Sequence, residues 1–145
     1  MMSTVEIIFN IFNTAVLPVW FLMIFLPKQK FTHWLTRTQV VPFAIAIAYA
    51  CIIFSVIGSL QNADFSSLAG IKALFSAGND WTVTAAWFHY LAFDLLVGIW
   101  IFHHSQEAKI PHLYIVPCLI FTFLLGPVGF LMYKLLGLFT RKKLD

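Results

Sequence analysis

Charge is what this 145-residue chain has least of: Asp, Glu, Lys and Arg make up 10% of it, against about 25% in an average soluble domain. That shortage excludes an ordinary water-soluble fold, which needs a polar surface. Cysteine is nearly as scarce. Cys51 and Cys118 both fall inside long apolar runs, where aqueous redox chemistry hardly reaches, so they build neither a disulfide framework nor a metal knot. No glycine-rich phosphate loop and no Ser/His/Asp arrangement can be assembled. No Lys or Arg precedes the first apolar run, and no small-residue cleavage site follows it at Leu26-Pro27-Lys28. That run is therefore expected to stay in the mature protein as a span, not to be removed as a secretory signal. Repeats, low-complexity tracts and a separate soluble domain are also missing.

What is abundant is hydrocarbon: 61% of the residues are hydrophobic and 17% aromatic. Four apolar spans can be drawn, at residues 5–26, 40–60, 81–103 and 114–136. Each is close to the ~20 residues that a helix rising ~1.5 Å per residue needs to cross a ~30 Å hydrocarbon core. The expectation is an all-α polytopic membrane protein: one bundle over residues 1–145, with four transmembrane helices. Between the second and third spans, Phe65, Leu68, Ile71, Leu74 and Phe75 recur at helical spacing with Lys72 outside their stripe. This predicts a short interfacial helix, stopped and recapped at Gly78-Asn79-Asp80, that is either a plain surface segment or a lid. Gly126-Pro127-Val128-Gly129 is expected to kink the fourth span or bring another backbone close, with Tyr114 and Tyr133 at opposite membrane interfaces.

The formal charge of +3 and pI near 9.0 come from residues in short loops and the tail, where membrane anchoring uses them. Nucleic acid is not an expected partner. The loop with Lys28, Lys30, His33 and Arg37 argues for a cytoplasmic location, but four crossings would put Arg141, Lys142 and Lys143 on the other side. The first loop is given preference because the first helix usually dominates orientation.

Near the middle of the third span stand His89 and Asp94. Even the mildest scale charges about 2.5 to 3.5 kcal/mol for an ionised aspartate at a helix centre, so ionisable groups at such depth are read as functional. On a helix they project ~140° apart and ~7.5 Å along the axis, and so cannot touch without distortion. Asp94 shares a face with Trp87 and Tyr90, and His89 with Phe93; each must meet a different neighbour. Glu6, Asn10 and Asn13 form a single polar stripe on the first helix that lipid should not see. Asn13 lies at the depth of His89, and the two are expected to approach. Tyr49 and Thr122 fall near the level of Asp94, predicting a cluster of Asp94, Tyr90, Tyr49 and Thr122. A desolvated carboxyl keeps its proton and becomes a usable donor near neutrality. The bland alternative is that Asn10, Asn13 and Thr122 simply join helices, each bond contributing ~0.6 kcal/mol.

The spacing of His103, His104 and His112 does not support a metal or haem site; a cluster at the water boundary is more often solvated than coordinating, with zinc the remaining alternative. His103 and His104 are adjacent and diverge, and His89 has no second imidazole at its depth. The paired Glu-x-x-His motifs of a di-iron bundle are absent. No metal and no cofactor is expected.

Three stretches together resemble the abscisic-acid-deficient-four family of membrane proteins: Asn13-Thr-Ala-Val-Leu-Pro-Val-Trp-Phe-Leu-Met-Ile-Phe-Leu-Pro27; Trp87-Phe-His-Tyr-Leu-Ala-Phe-Asp94, followed by Leu95, Val97 and Gly98; and Pro117-Cys118 with Gly126-Pro-Val-Gly-Phe-Leu-Met-Tyr133. In plants that family is tied to neoxanthin formation from violaxanthin, a redox-neutral isomerisation of an epoxy-carotenoid to an allene. The resemblance implies a carotenoid or other isoprenoid lipid as partner and acid/base chemistry with no metal, flavin or nicotinamide. On that reading Asp94 is the proton donor and His89 the base or its orienting partner. Trp87, Tyr90, Phe93 and Trp100 grip the polyene, and Tyr49, Asn13 and Thr122 complete the binding surface. The chain's compactness and the lack of an obvious plastid-targeting extension suggest a bacterial inner membrane. Two other readings stay open: a non-enzymatic carotenoid- or lipid-binding module, and a proton-coupled transporter, which would need a symmetric homo-oligomer.

Overall fold

A computed structural model of the chain describes residues 2–60 and 63–139, and no strand occurs among them. In chain order the helices are α1 (Thr4–Phe25), α2 (Lys30–Thr38), α3 (Val40–Val56) with a 3₁₀ turn over Ile57–Leu60, α4 (Leu68–Ser76), α5 (Asp80–Glu107), α6 (His112–Leu125) and α7 (Pro127–Phe139).

Local chemistry sets the ends of the long helices. α1 starts on a capping box in which the Glu6 amide donates to Ser3 Oγ (3.3 Å) and the Ser3 amide donates to Glu6 Oε2 (2.6 Å). Pro18 sits inside α1 without ending it. The Asn79 side chain accepts from the Trp81 and Thr82 amides, both at 3.0 Å, and opens α5 where the sequence predicts a cap. α5 is the central column: Ala85, Phe88, Ala92, Leu95, Ile99 and Phe102 are buried at three- and four-residue spacing between α1, α3 and α6. Gly98 lets α1 come close, since a Cβ there would strike the Trp20 ring. Outward-facing Phe43 and Phe54 are 66% and 71% exposed, as a lipid-facing surface requires.

Three stretches are long and apolar enough to cross a membrane: Thr4–Phe25, Lys30–Val56 and Asp80–Glu107. The chain is an integral membrane protein. The fourth expected span, 114–136, is not one crossing. It is two short helices joined at Gly126 (φ 41°), and they run antiparallel. Gly129 of α7 packs on Thr122 and the Cys118 carbonyl of α6, while Tyr133 stands beside Cys118. At ~1.5 Å per residue each arm is about 20 Å long, short of a ~30 Å core, so the pair enters the bundle and returns. The physical reason is local. Pro127 cannot supply an amide to continue α6, and only glycine readily takes the backbone that reverses the chain.

Two expectations change with it. Tyr133 is fully buried and bonded to His104 Nδ1 (2.8 Å), and Tyr114 is at the same end of the bundle, so they do not mark opposite interfaces. α7 also heads back toward the end that carries the first loop. That end holds Lys28, Lys30, Arg37, Lys109 and Lys134 against Glu107; the opposite end holds Glu6, Asp64 and Asp80 against Lys72. Arg141, Lys142 and Lys143 lie outside the described residues.

Candidate functional site

Because the hairpin stops near the middle of α5, the face between α1 and α5 above its tip is left unfilled. A groove runs there in two segments. The outer one, about 410 Å³, is lined by Glu6, Phe9, Asn10, Asp80, Val83 and Thr84; the inner one, about 230 Å³, by Asn13, Leu17, Trp87, Tyr90, Phe123 and Leu124. The Phe9 and Trp87 rings, 6.4 Å apart, join the two. The polar stripe of α1 thus lines a groove with Glu6 and Asn10 and meets α5 at its inner end through Asn13.

At the inner end the hairpin tip meets Asp94. The carboxyl sits directly against Gly126, where a Cβ would collide with it. Asp94 Oδ2 is buried and has no hydrogen-bond partner. A buried polar atom left unmatched costs about 1–3 kcal/mol, and such atoms call for an explanation in terms of use. The Tyr90 hydroxyl lies beside this carboxyl and donates to the Leu124 carbonyl (3.2 Å), one of the acceptors that α6 leaves unmatched where it ends. Trp87 stacks on Tyr90 (5.3 Å, 23°) and donates its indole N–H to Asn13 Oδ1 (2.9 Å). A phenol and an indole therefore stand in sequence along one apolar wall, with the acid behind the phenol.

His89 faces the other way. Its ring is 5.6 Å from Tyr49 and 4.7 Å from Phe93, and it lines a separate cleft of about 440 Å³ between α3, α4 and α5. Phe65, Leu74 and Phe75 roof that cleft. Ser66 and Ser67 donate to Asp64 at the start of the roof, first Ser66 (2.6 Å), holding that carboxyl down from 3.8 to about 2. A depressed carboxyl contributes above its unfolded value and loses the contribution only as pH falls through about 2, so the roof is insensitive to pH near neutrality.

The nine expected site residues divide three ways. Tyr90, Trp87 and Asn13 line the groove, with Asp94 behind Tyr90; His89 and Tyr49 line the cleft, with Phe93 against the His89 ring; Trp100 and Thr122 pack the hairpin. Asn13 approaches Trp87 and not His89, because Trp87 is the α5 residue turned toward α1. Tyr49 meets His89 and not Asp94, because α3 lies on the opposite side of α5. Thr122 is buried and returns its hydroxyl to the Cys118 carbonyl (2.7 Å), against Gly129. Trp100 stacks on His104 (4.7 Å, 17°) with Lys134 over its ring. Gly126 and Leu124 were not expected in the site, although the Gly-Pro pair was the available signal. His112 has its own partner at the basic end, donating from Nε2 to the Ile24 carbonyl (2.9 Å). Among the described residues no three His, Cys, Asp or Glu side chains come together as a metal site.

The architecture defines a class: an integral membrane helical bundle with a helical hairpin whose tip packs on a buried carboxyl next to an aromatic-lined groove. A family model described as ABA DEFICIENT 4-like matches residues 7–133, and the chain belongs to that family. It is 29% identical over 130 residues to Protein ABA DEFICIENT 4, chloroplastic, of Arabidopsis thaliana, a match covering 84% of this chain and 56% of that protein. The chain thus spans little more than half the length of that relative. No solved structure matches.

Proposed function

We propose that the protein is a membrane-embedded isomerase acting on a carotenoid or related isoprenoid by redox-neutral acid/base chemistry. The observation that carries this reading is the Asp94 carboxyl, with its Oδ2 buried and unmatched, beside the Tyr90 hydroxyl whose residue lines the inner groove with Trp87. Such a groove accepts a long apolar polyene from the lipid, and the carboxyl supplies the reactive group at its end. For an epoxide end group, the acid form of Asp94 delivers its proton to the epoxide oxygen as the C–O bond breaks. The carboxylate then takes a proton from the neighbouring polyene carbon as the new C=C bond forms. The formula is unchanged and the acid is restored, so neither oxidant nor reductant is consumed. Tyr90 orients the carboxyl and closes the hairpin tip.

His89 as the base for the same bond is disfavoured by its position across α5 from Asp94. That same separation favours the second reading, a pigment-binding module without turnover. The reading requires only a membrane that contains the substrate, a condition met in a chloroplast, the compartment named for the Arabidopsis relative, and by a pigmented bacterial inner membrane. By the positive-inside bias the end with Lys28, Lys30 and Arg37 faces the cytoplasm or its equivalent.

Expression in carotenoid-producing hosts, with pigments compared by chromatography, tests the proposal. A new isomer of unchanged mass that appears with the wild type and vanishes with Asp94→Asn supports it. Identical pigment profiles for the two across several epoxy-carotenoids overturn it, and a coloured ligand co-purifying with both would then favour the binding module.

A further inference from the structure

We propose that the His89 cleft is a second ligand site, separate from the Asp94 groove, which takes the oxygenated end ring of an isoprenoid by hydrogen bonding to the imidazole. His89 lies five residues from Asp94, the midpoint of α5, so about 7.5 Å from the centre of a core with a half-thickness of about 15 Å. Its side chain is exposed there. Neither its imidazole nor the Tyr49 hydroxyl has a hydrogen-bond partner among the described residues, although both stand at one cleft wall. Two polar tips facing hydrocarbon without partners are costly, and a polar atom brought by a ligand is what removes that cost.

The rest of the cleft states the ligand's character. Ile53, Leu74, Phe75 and Val83 make it overwhelmingly apolar, and its volume of about 440 Å³ falls in the ~300–1,000 Å³ range of small-molecule sites. That space suits a substituted ring and the start of its chain, with the remainder running out into lipid. A neutral ring hydroxyl or keto oxygen satisfies the imidazole without bringing a charge into hydrocarbon. A phospholipid headgroup would bring one.

This inference goes beyond the isomerase reading and does not depend on turnover. The test titrates full-length protein in lipid nanodiscs with zeaxanthin, which carries ring hydroxyls, and with β-carotene, its hydrocarbon counterpart, following absorbance and tryptophan quenching. One hydrogen bond formed in an apolar cleft corresponds to roughly a tenfold preference for zeaxanthin. His89→Leu should bring that preference to about one while leaving β-carotene binding in place; His89→Gln, whose amide can still pair with a hydroxyl, should retain part of it, and Asp94→Asn should retain all of it. An unchanged preference in His89→Leu, or a preference lost in Asp94→Asn and kept in His89→Leu, overturns the proposal. Loss of turnover in Asp94→Asn with the His89-dependent preference intact supports both readings, whereas turnover without any such preference overturns only this one.

Discussion

The two sides of α5 carry the same kind of signal and have been built differently. On one side Asp94 is backed by a chain reversal: Gly126 lies on the carboxyl, Tyr90 ties the tip through Leu124, and Trp87 is pinned by Asn13. On the other, His89 stands in a cleft with two aromatic neighbours and no hydrogen bond among the described residues. Fixed geometry around a reactive group suits chemistry, because a catalytic group works only when held close to its productive position. A loosely bounded cleft suits binding. The contrast fits the proposal that turnover belongs to Asp94 and recognition to His89.

The comparison can be broken most completely through the hairpin. With Cys51 and Cys118 replaced by Ala, single cysteines at Lys28 and Leu138 should react with a membrane-impermeant thiol reagent from one side of the membrane, and one at Glu6 from the other. Reaction of Leu138→Cys from the Glu6 side would restore a fourth crossing and remove the tip from Asp94. Next in size is Gly126→Val, which adds a branched side chain at φ 41° and drives it into the carboxyl. Backbone strain of about 1–3 kcal/mol plus the clash should cost at least ~2 kcal/mol, seen as a lower unfolding midpoint in detergent. Gly129→Leu forces α6 and α7 apart and should cost about 1–3 kcal/mol by the same assay. If it is neutral, the close packing of the two arms is wrong. The smallest effect belongs to Asn13→Leu, which removes the bond to Trp87: about 0.6 kcal/mol of stability, with a shift in Trp87 fluorescence that His89→Leu should not produce.

Much of the architecture was legible in residue patterns, and the illegible part has a definite cause. Span length and hydropathy located α1, α3 and α5 to within a few residues, and the Phe65 to Phe75 stripe with Asn79 located α4 and the cap of α5. Hydropathy cannot tell one 23-residue crossing from two arms folded back, since both are continuously apolar. Only Gly126-Pro127 separated them, and that pair is compatible with a kink as well as a reversal. Angular spacing on α5 correctly divided His89 from Asp94, because that separation is intrinsic to a helix. Depth matching then paired Asn13 with His89 and Tyr49 with Asp94, and both pairings failed. Residues at equal depth meet only if their helices are neighbours on the right side, and which side α1 and α3 take is decided by packing such as Trp20 on Gly98.

The most direct measurement is single-turnover isomerisation of an epoxy-carotenoid by purified protein in lipid nanodiscs, comparing wild type, Asp94→Asn and Asp94→Glu. The account predicts a loss of about 10²–10⁴-fold in Asp94→Asn with substrate binding retained, and partial activity in Asp94→Glu, because the acid and not merely the shape is required. Equal rates for wild type and Asp94→Asn would contradict it.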